Sequence, residues 1–318
     1  MGISASTVSR ALNDHQDVNE NTKVKVKQLA EKLNYKPNNI AKSLVQNKTN
    51  TIGLMIPDIT DPFFSVIAAE IENYLSARNY LILYGNTTRN KEKEKKFIEE
   101  VCNKQVDGLL LTPNFLNDEM ISILSSLNIP VVLLRRRSPK HLPGIPFVDV
   151  DHYTGACNIT KYLIDKGHQH IQFIGMTRNS FVNRERFQGF LDTMHKSNLF
   201  PDKNQFVYAG RTIKHGEKAI KRIYDKKTTA IFACNDLLAV GAMEWLIKNN
   251  VQIPRDISIV GFDNLEISRL HMIQLTTMSQ PRKEMGKAAA GMLFEMINGK
   301  RSVKSKLFTP EFIERKTS

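Results

Sequence analysis

The sequence predicts an α/β chain of two lobes, each a doubly wound parallel sheet, behind a short all-helical segment. Three observations predict it. From Thr51 onward, β-rich apolar runs alternate with longer helical stretches, the pattern of parallel strands joined by helical crossovers. The alternation runs through twice in 318 residues, enough for two or three domains with cores of their own. Before Thr51 helical patterning stands alone, in fifty residues that hold eight Lys/Arg against four Asp/Glu.

The first helix is read over 4–13. Ser4 is a suitable N-cap, its hydroxyl able to accept an orphan amide proton of the first turn. Val8 and Leu12, four apart, form a thin apolar stripe for inward packing. Ala5, Ser6, Ser9, Arg10 and Asn13 fall mainly on the other faces, where small polar groups and one guanidinium can approach base edges and phosphates. Ten residues alone fit an ordinary amphipathic surface helix equally well. Asn19-Glu20-Asn21-Thr22 opens a second helix, with Val24, Val26, Leu29, Ala30 and Leu33 apolar among lysines. Tyr35-Lys36-Pro37-Asn38 stops it, and a short helix resumes from Asn38 to Val45.

In the first lobe, strands are read at 51–56, 80–84, 108–111, 131–134 and 147–150, with helices near 62–78, 90–104 and 117–127. The 62–78 helix is well marked: Asp61 as N-cap, Pro62 at the first helical position, then Ile67, Ile71 and Leu75 on one stripe. The second series has strands at 171–175, 206–208, 230–232 and 257–260, with helices near 153–166, 183–197, 214–225 and 235–249. The tail reads as a strand at 275–278, a helix at 282–298 and a strand-like run at 306–315.

Composition narrows the function. The net charge is +13, of which +4 falls in the first fifty residues, a moderate bias toward an anionic partner. Cys102, Cys157 and Cys234 are far apart and odd in number, as expected of thiols in a reducing cytosol. No apolar run approaches bilayer length and no signal peptide opens the chain, so a cytoplasmic protein without membrane contact is expected. No Walker loop, dinucleotide fingerprint or Gly-x-Ser-x-Gly elbow appears. His168-x-His170 has strand spacing that sends the rings to opposite faces. No enzyme, metal or cofactor is expected.

The string Ser4, Thr7-Val8-Ser9-Arg10, Leu12-Asn13, Val24, Leu33, Tyr35, Pro37-Asn38, Ala41 and Ser43-Leu44 resembles the lactose/galactose-repressor family of bacterial transcription regulators. The resemblance continues through Gly53-Leu54-Met55-Ile56-Pro57, Val106-Asp107-Gly108, Asn235-Asp236, Val260-Gly261-Phe262-Asp263-Asn264 and Leu275-Thr276-Thr277. The two-lobed part is also similar to periplasmic sugar-binding proteins. The resemblance implies a helix-turn-helix headpiece over 1–36, a hinge helix and linker over 37–49, and a periplasmic-binding-protein-like core. In that core, 50–150 plus 279–303 would make the first lobe and 151–278 plus 304–318 the second. Ala5, Ser6 and Arg10 would occupy base-reading positions, Asn13 would lie near the DNA backbone, and Ser9 would be a further DNA-binding residue. Asn38, Ala41 and Lys42 would lie in the hinge, and Leu44 would be its minor-groove wedge. The family's headpiece begins with a further helix before the position of Gly2, where only Met1 stands here. Residues 1–36 are therefore expected to fold poorly and to bind operator weakly, the start codon lying upstream or the chain having been shortened.

In open parallel sheets, ligands bind beyond the carboxyl ends of the strands. Those ends carry Pro57-Asp58 running on to Phe63-Phe64, Thr112, Arg135-Arg136, Asn235-Asp236 and Asp263-Asn264, with Arg184 and Arg186 opening a later helix. Aromatic faces beside Asp, Asn and Arg suit a sugar. The candidate effector residues are Phe63, Phe64, Arg135, Arg184, Arg186, Arg211, Asn235, Asp263 and Gln280. Each has an alternative: the phenylalanines as core, Asn235 and Asp263 as helix caps, Arg186 as a solvated charge where the resemblance implies an effector contact. Two departures from relatives stand out. Arg135-Arg136-Arg137 stands where most have aspartate before the arginine, and Arg211 where many place an aromatic. Both suit an anionic effector such as a sugar phosphate or sugar acid; local salt bridges or solvent contact are the alternative. The expected protein is an effector-responsive repressor of carbohydrate-metabolism genes, cytoplasmic and nucleoid-associated, binding a palindromic DNA operator as a homodimer. The competing reading is a small-molecule sensor without DNA-binding activity.

Overall fold

The computed structural model describes residues 2–12, 14–35, 48–137 and 145–318. It divides into two compact units, Met1–Thr49 and Asn50–Ser318.

The first unit holds α1 (Ala5–Leu12) and α2 (Glu20–Lys32). Ser4 caps α1, its Oγ accepting from the Thr7 amide at 3.1 Å. Asn19 caps α2, its side-chain oxygen accepting from the Asn21 amide at 2.9 Å. The core differs in detail from the expected stripe. Ala11 is the fully buried residue, packed with Val18 and Val26, while Ile3, Val8 and Leu12 are only partly covered. Ala11 lets the helices approach closely, which a stripe of large residues does not reveal. Val24, Leu29, Leu33 and Tyr35 are exposed.

The second unit opens with β1 (Thr51–Ile56), α3 (Pro62–Ser76), β2 (Leu81–Asn86), α4 (Lys91–Asn103), β3 (Gly108–Leu111), α5 (Asp118–Ser126), β4 (Val131–Leu134) and β5 (Phe147–Val150). It continues with α6 (His152–Asp165), β6 (Ile171–Gly175), α7 (Phe181–Lys196), β7 (Phe206–Tyr208), α8 (Ile213–Ile223), β8 (Ala230–Ala233), α9 (Asp236–Lys248) and β9 (Ser258–Asp263). After α10 (Glu266–Arg269) come β10 (Thr276–Ser279), α11 (Arg282–Ile297), β11 (Lys306–Phe308) and β12 (Glu311–Ile313). The strands form two six-stranded sheets, ordered β11-β5-β4-β3-β1-β2 and β12-β10-β9-β8-β6-β7. All pairs are parallel except β10 with β12. Buried aliphatic strands such as Gly108–Leu111 and Val131–Leu134 follow from helices covering both faces.

Three segments pass between the sheets: β5 to α6, β10 to α11, and β11 to β12. Helix α11 packs on the first sheet, with Met285, Ala289, Ala290 and Leu293 in one core with Ile67 and Ile71 of α3. The tail corrects the expected boundary, which gave all of 304–318 to the second lobe. Lys306–Phe308 extends the ladder of the first sheet beside Val148–Val150, and the chain joins the second sheet only at Glu311. Pro310 interrupts the run because it has no amide proton for either ladder.

Candidate functional site

On the first unit, Ala5, Ser6, Ser9 and Arg10 are exposed on α1, away from Ala11 and Val26. The Arg10 guanidinium holds the Asp17 carboxylate at 3.0 Å, and both side chains are about half exposed. Such a solvent-screened pair is easily exchanged for another anion. Among the α2 lysines, Lys25 and Lys32 are exposed and Lys27 reaches Asp14, while Lys23 is buried against Glu20. Asn13, Asn38, Ala41, Lys42 and Leu44 lie outside the described residues.

In the second unit the carboxyl ends of both sheets converge on one cleft cavity of about 300 Å³. Its walls come from the segments after β1, β2, β3, β4, β6 and β7, as expected for open parallel sheets. Of the sequence-read candidates, Phe64, Arg135 and Arg211 line it. Pro57, Thr112 and Arg136, read at the strand ends, line it as well, whereas Arg89, Asn114, Phe115, Asn179 and Phe181 line it without having been read from the sequence. Arg89 is missed because the strand read at 80–84 stops short, whereas β2 runs on to Asn86 and delivers Thr87-Thr88-Arg89 to its carboxyl end.

Other candidates sit behind the wall. Phe63 is buried, and the Arg135 guanidinium stacks on its ring at 3.9 Å. Arg186 is no solvated charge: it is wholly buried, with Nη2 3.1 Å from the Asp263 carboxylate and the guanidinium 3.6 Å from the Phe262 ring. Gln280 Nε2 donates to the same carboxylate, and His152 Nδ1 lies 3.3 Å from Arg186 Nη2. Burial, then Arg186, pushes His152 down to about 4, so the ring is neutral. Burial likewise pushes the Asp263 carboxyl up, against the pull of Arg186 and Arg135. Asn235 caps α9, its side-chain oxygen accepting from the Leu238 amide at 2.9 Å, while its Nδ2 donates to the Arg211 carbonyl at 3.2 Å. Arg184 is exposed and does not line the cavity. Thus Phe63, Arg186, Asn235, Asp263 and Gln280 form a buried support, because charged and amide groups taken out of water need partners wherever they sit.

The cavity is rich in guanidinium. Arg89 pairs with Asp58 at 2.6 Å and Asp61 at 3.0 Å. Arg136 Nη2 donates to the Asn114 carbonyl at 3.1 Å. The backbone is left-handed at Thr88 (φ 49°), Arg89 (φ 56°) and Arg135 (φ 52°), an uncommon conformation outside glycine. Such outliers gather where geometry is imposed for function. Burial lowers Arg136, then neighbouring Arg184, and pushes Arg211 down to about 10, then Arg89 and Arg135.

Glu94 fixes the wall that follows β3. Its carboxylate is fully buried and accepts from the Asn114 amide at 2.9 Å and the Phe115 amide at 3.3 Å. Glu94→Gln is expected to turn one acceptor into a donor facing an amide proton, costing about 1–3 kcal/mol. The expected result is faster amide exchange at Asn114 and Phe115 and a Tm lower by a few degrees; unchanged exchange there would refute the assignment.

Among the described residues, no group of three His, Cys, Asp or Glu side chains could hold a metal ion, and no helix is long and apolar enough to cross a membrane.

Comparison with known proteins agrees with both units. A model of periplasmic binding proteins and the sugar binding domain of the LacI family matches residues 49–316. A model of bacterial regulatory proteins of the lacI family matches residues 1–38. The HTH-type transcriptional regulator RegA of Clostridium saccharobutylicum is 33% identical, over 94% of this chain and 90% of its own. The HTH-type transcriptional repressor CytR of Escherichia coli (strain K12) is 31% identical, over 93% and 87%. A periplasmic binding protein/LacI transcriptional regulator from Alkaliphilus metalliredigens QYMF, solved with D-xylulofuranose, superposes with a TM-score of 0.73 at 29% identity. It covers 85% of this chain and 99% of that one.

Proposed function

The chain belongs to the lacI family of bacterial regulatory proteins, and from that premise we propose that it represses carbohydrate-metabolism genes under control of a small-molecule effector. It is a DNA-binding transcriptional regulator with a helix-turn-helix unit and a periplasmic-binding-protein-like fold. The effector is a sugar or a sugar derivative, sugar phosphates and sugar acids included, and it binds in the cleft between the sheets. The observation that carries this is the convergence of six strand ends of both sheets on one cavity. The Alkaliphilus relative, solved with a sugar, supports it.

On the DNA side, residues 1–36 are the headpiece and 37–49 the hinge. The protein acts in the cytoplasm, at the nucleoid, as a homodimer on a near-palindromic operator whose two half-sites mirror its two-fold axis. Ala5, Ser6 and Arg10 face base edges, Asn13 lies near the DNA backbone, and Ser9 is a further DNA contact. Asn38, Ala41 and Lys42 contact DNA from the hinge, and Leu44 wedges a base step. Ala5 and Ser6 are short, so Arg10 carries most of the direct readout, and exchanging Asp17 for DNA costs it little because the pair is solvent-screened. Arg10→Ala is expected to weaken specific operator binding by about 10- to 100-fold and nonspecific binding far less. Fluorescence anisotropy on full-length protein at two salt concentrations, with and without sugars, tests both halves. Equal loss on specific and random DNA refutes the Arg10 role; operator affinity indifferent to every sugar and sugar derivative refutes effector control.

A further inference from the structure

Resting on the reading of the cleft as the effector site, we propose that its ligand carries an anionic group, phosphate or carboxylate, seated between Arg135 of the first lobe and Arg211 of the second. The balance of donors and acceptors carries the proposal. Among the described residues, four arginines line the cavity and no aspartate or glutamate does. The Arg135 guanidinium makes no hydrogen bond or ion pair among the described residues; it stacks on Phe63 at 3.9 Å, and its Nε is buried without a partner. The Arg211 guanidinium has one polar contact among the described residues, Nη1 on the Met176 sulfur at 2.9 Å, and its Nε is likewise unpartnered. Each guanidinium has five N–H donors, so nearly all of this donor capacity is unspent.

Two further orphans line the same cavity. Thr112 is 6% exposed with its Oγ1 unpartnered, and Asn114 Nδ2 is buried without an acceptor. Of these four unsatisfied groups lining the cavity, three are N–H donors and the fourth a hydroxyl that can donate. A neutral sugar offers hydroxyl protons and needs acceptors in return. The carboxylates near the cavity are engaged elsewhere: Asp58 and Asp61 hold Arg89, Glu94 takes two backbone amides, and Asp263 is held by Arg186 and Gln280. A phosphate or carboxylate reverses this mismatch, because it only accepts and matches the planar guanidinium fork. The two arginines stand on opposite lobes, after β4 and after β7, and line the same cavity, which lets an anion seated there meet both. Burial lowers both guanidiniums, and an anion between them would relieve that cost.

The test is calorimetric titration and thermal shift on the full chain. Inorganic phosphate is compared with chloride at equal ionic strength, D-ribose with ribose 5-phosphate, and D-glucose with glucose 6-phosphate and D-gluconate. Phosphate is expected to raise Tm above chloride, and a phosphorylated or acid sugar to bind at least about tenfold tighter than its neutral parent, about 1.4 kcal/mol. The phosphate and gluconate arms separate the two anion classes. Arg211→Gln is expected to remove the phosphate effect while the protein stays folded; Arg211→Lys, keeping charge without the fork, retains part of it. Arg135→Gln gives the same answer from the other lobe. Phosphate indistinguishable from chloride, phosphate acting equally on both Gln variants, or a neutral sugar binding as tightly as its phosphate overturns the proposal. A neutral sugar that binds and shifts operator affinity overturns the anion but keeps the effector reading. Phosphate bound between the arginines, with no sugar derivative altering operator affinity, does the reverse.

Discussion

Arg186→Met is expected to cost about 3–5 kcal/mol of stability, because it leaves a buried carboxylate without its cation. The guanidinium is wholly buried, 3.1 Å from Asp263, and also donates to the Cys234 carbonyl. Methionine fills part of the volume and keeps contact with Phe262, so charge dominates the loss. For a unit of this size a Tm drop of roughly 10 °C follows. The deficit should depend on pH. Burial already pushes Asp263 up, and without Arg186 it rises further. A carboxyl raised in the folded state favours folding when protonated and disfavours it as pH climbs through its folded value. The variant is therefore expected to recover toward wild type as pH falls from 8 to 5 and to lose ground in the other direction. Adding Asp263→Asn, which removes the charge but leaves an oxygen for Gln280, should restore more than half of the loss. A single variant within about 1 kcal/mol of wild type, an effect of surface-pair size, at every pH refutes the buried-pair account.

That pair also marks the limit of what the sequence shows. Arg186, Asp263 and Gln280 are residue types that bind a polar ligand, and the same types are needed to satisfy one another inside a protein. Only burial and partner geometry separate the two uses. The reverse occurred at Glu94, one acid in the run Lys91-Glu92-Lys93-Glu94-Lys95-Lys96. It reads as a solvated face, yet the helical period places it with Ile98 and Val101 on the buried side of α4. Strand alternation fixed the two sheets because parallel strands covered by helices must be apolar throughout, and strand ends then located the cavity. Arg135 and Arg211 were legible as departures from a family pattern. Their lack of carboxylate partners was not, since that depends on where Asp58, Asp61 and Asp263 spend their charge. Ala11 was missed for a related reason: a small residue signals a close approach only when its neighbour is known.

Close approach also governs the second large expected effect. Gly241→Ala is expected to destabilise by about 3 kcal/mol, the upper end of overpacking costs. Helices α8 and α9 cross with a glycine on each, and the backbones meet. A Cβ at 241 would overlap the Ile213 carbonyl oxygen and come within 2.8 Å of the Glu217 amide nitrogen; one at 216 would overlap the Leu238 carbonyl oxygen. Backbone atoms cannot rotate away as a side chain can, so the helices must separate. The consequence reaches the cavity. Arg211 lies two residues before α8, and its carbonyl is held by Asn235, the N-cap of α9. Spreading the helices moves Arg211 off its partner, so ligand affinity should fall at temperatures where the variant is still folded. Gly291→Ala is the control: on α11 a Cβ there meets nothing nearer than the Tyr74 hydroxyl at 3.4 Å, and helix propensity predicts a gain of roughly 0.5–1 kcal/mol. Thermal denaturation with phosphate titration of both variants decides. Should Gly241→Ala melt with wild type, the helices have room that the described packing denies, and the route from α9 to Arg211 fails with it.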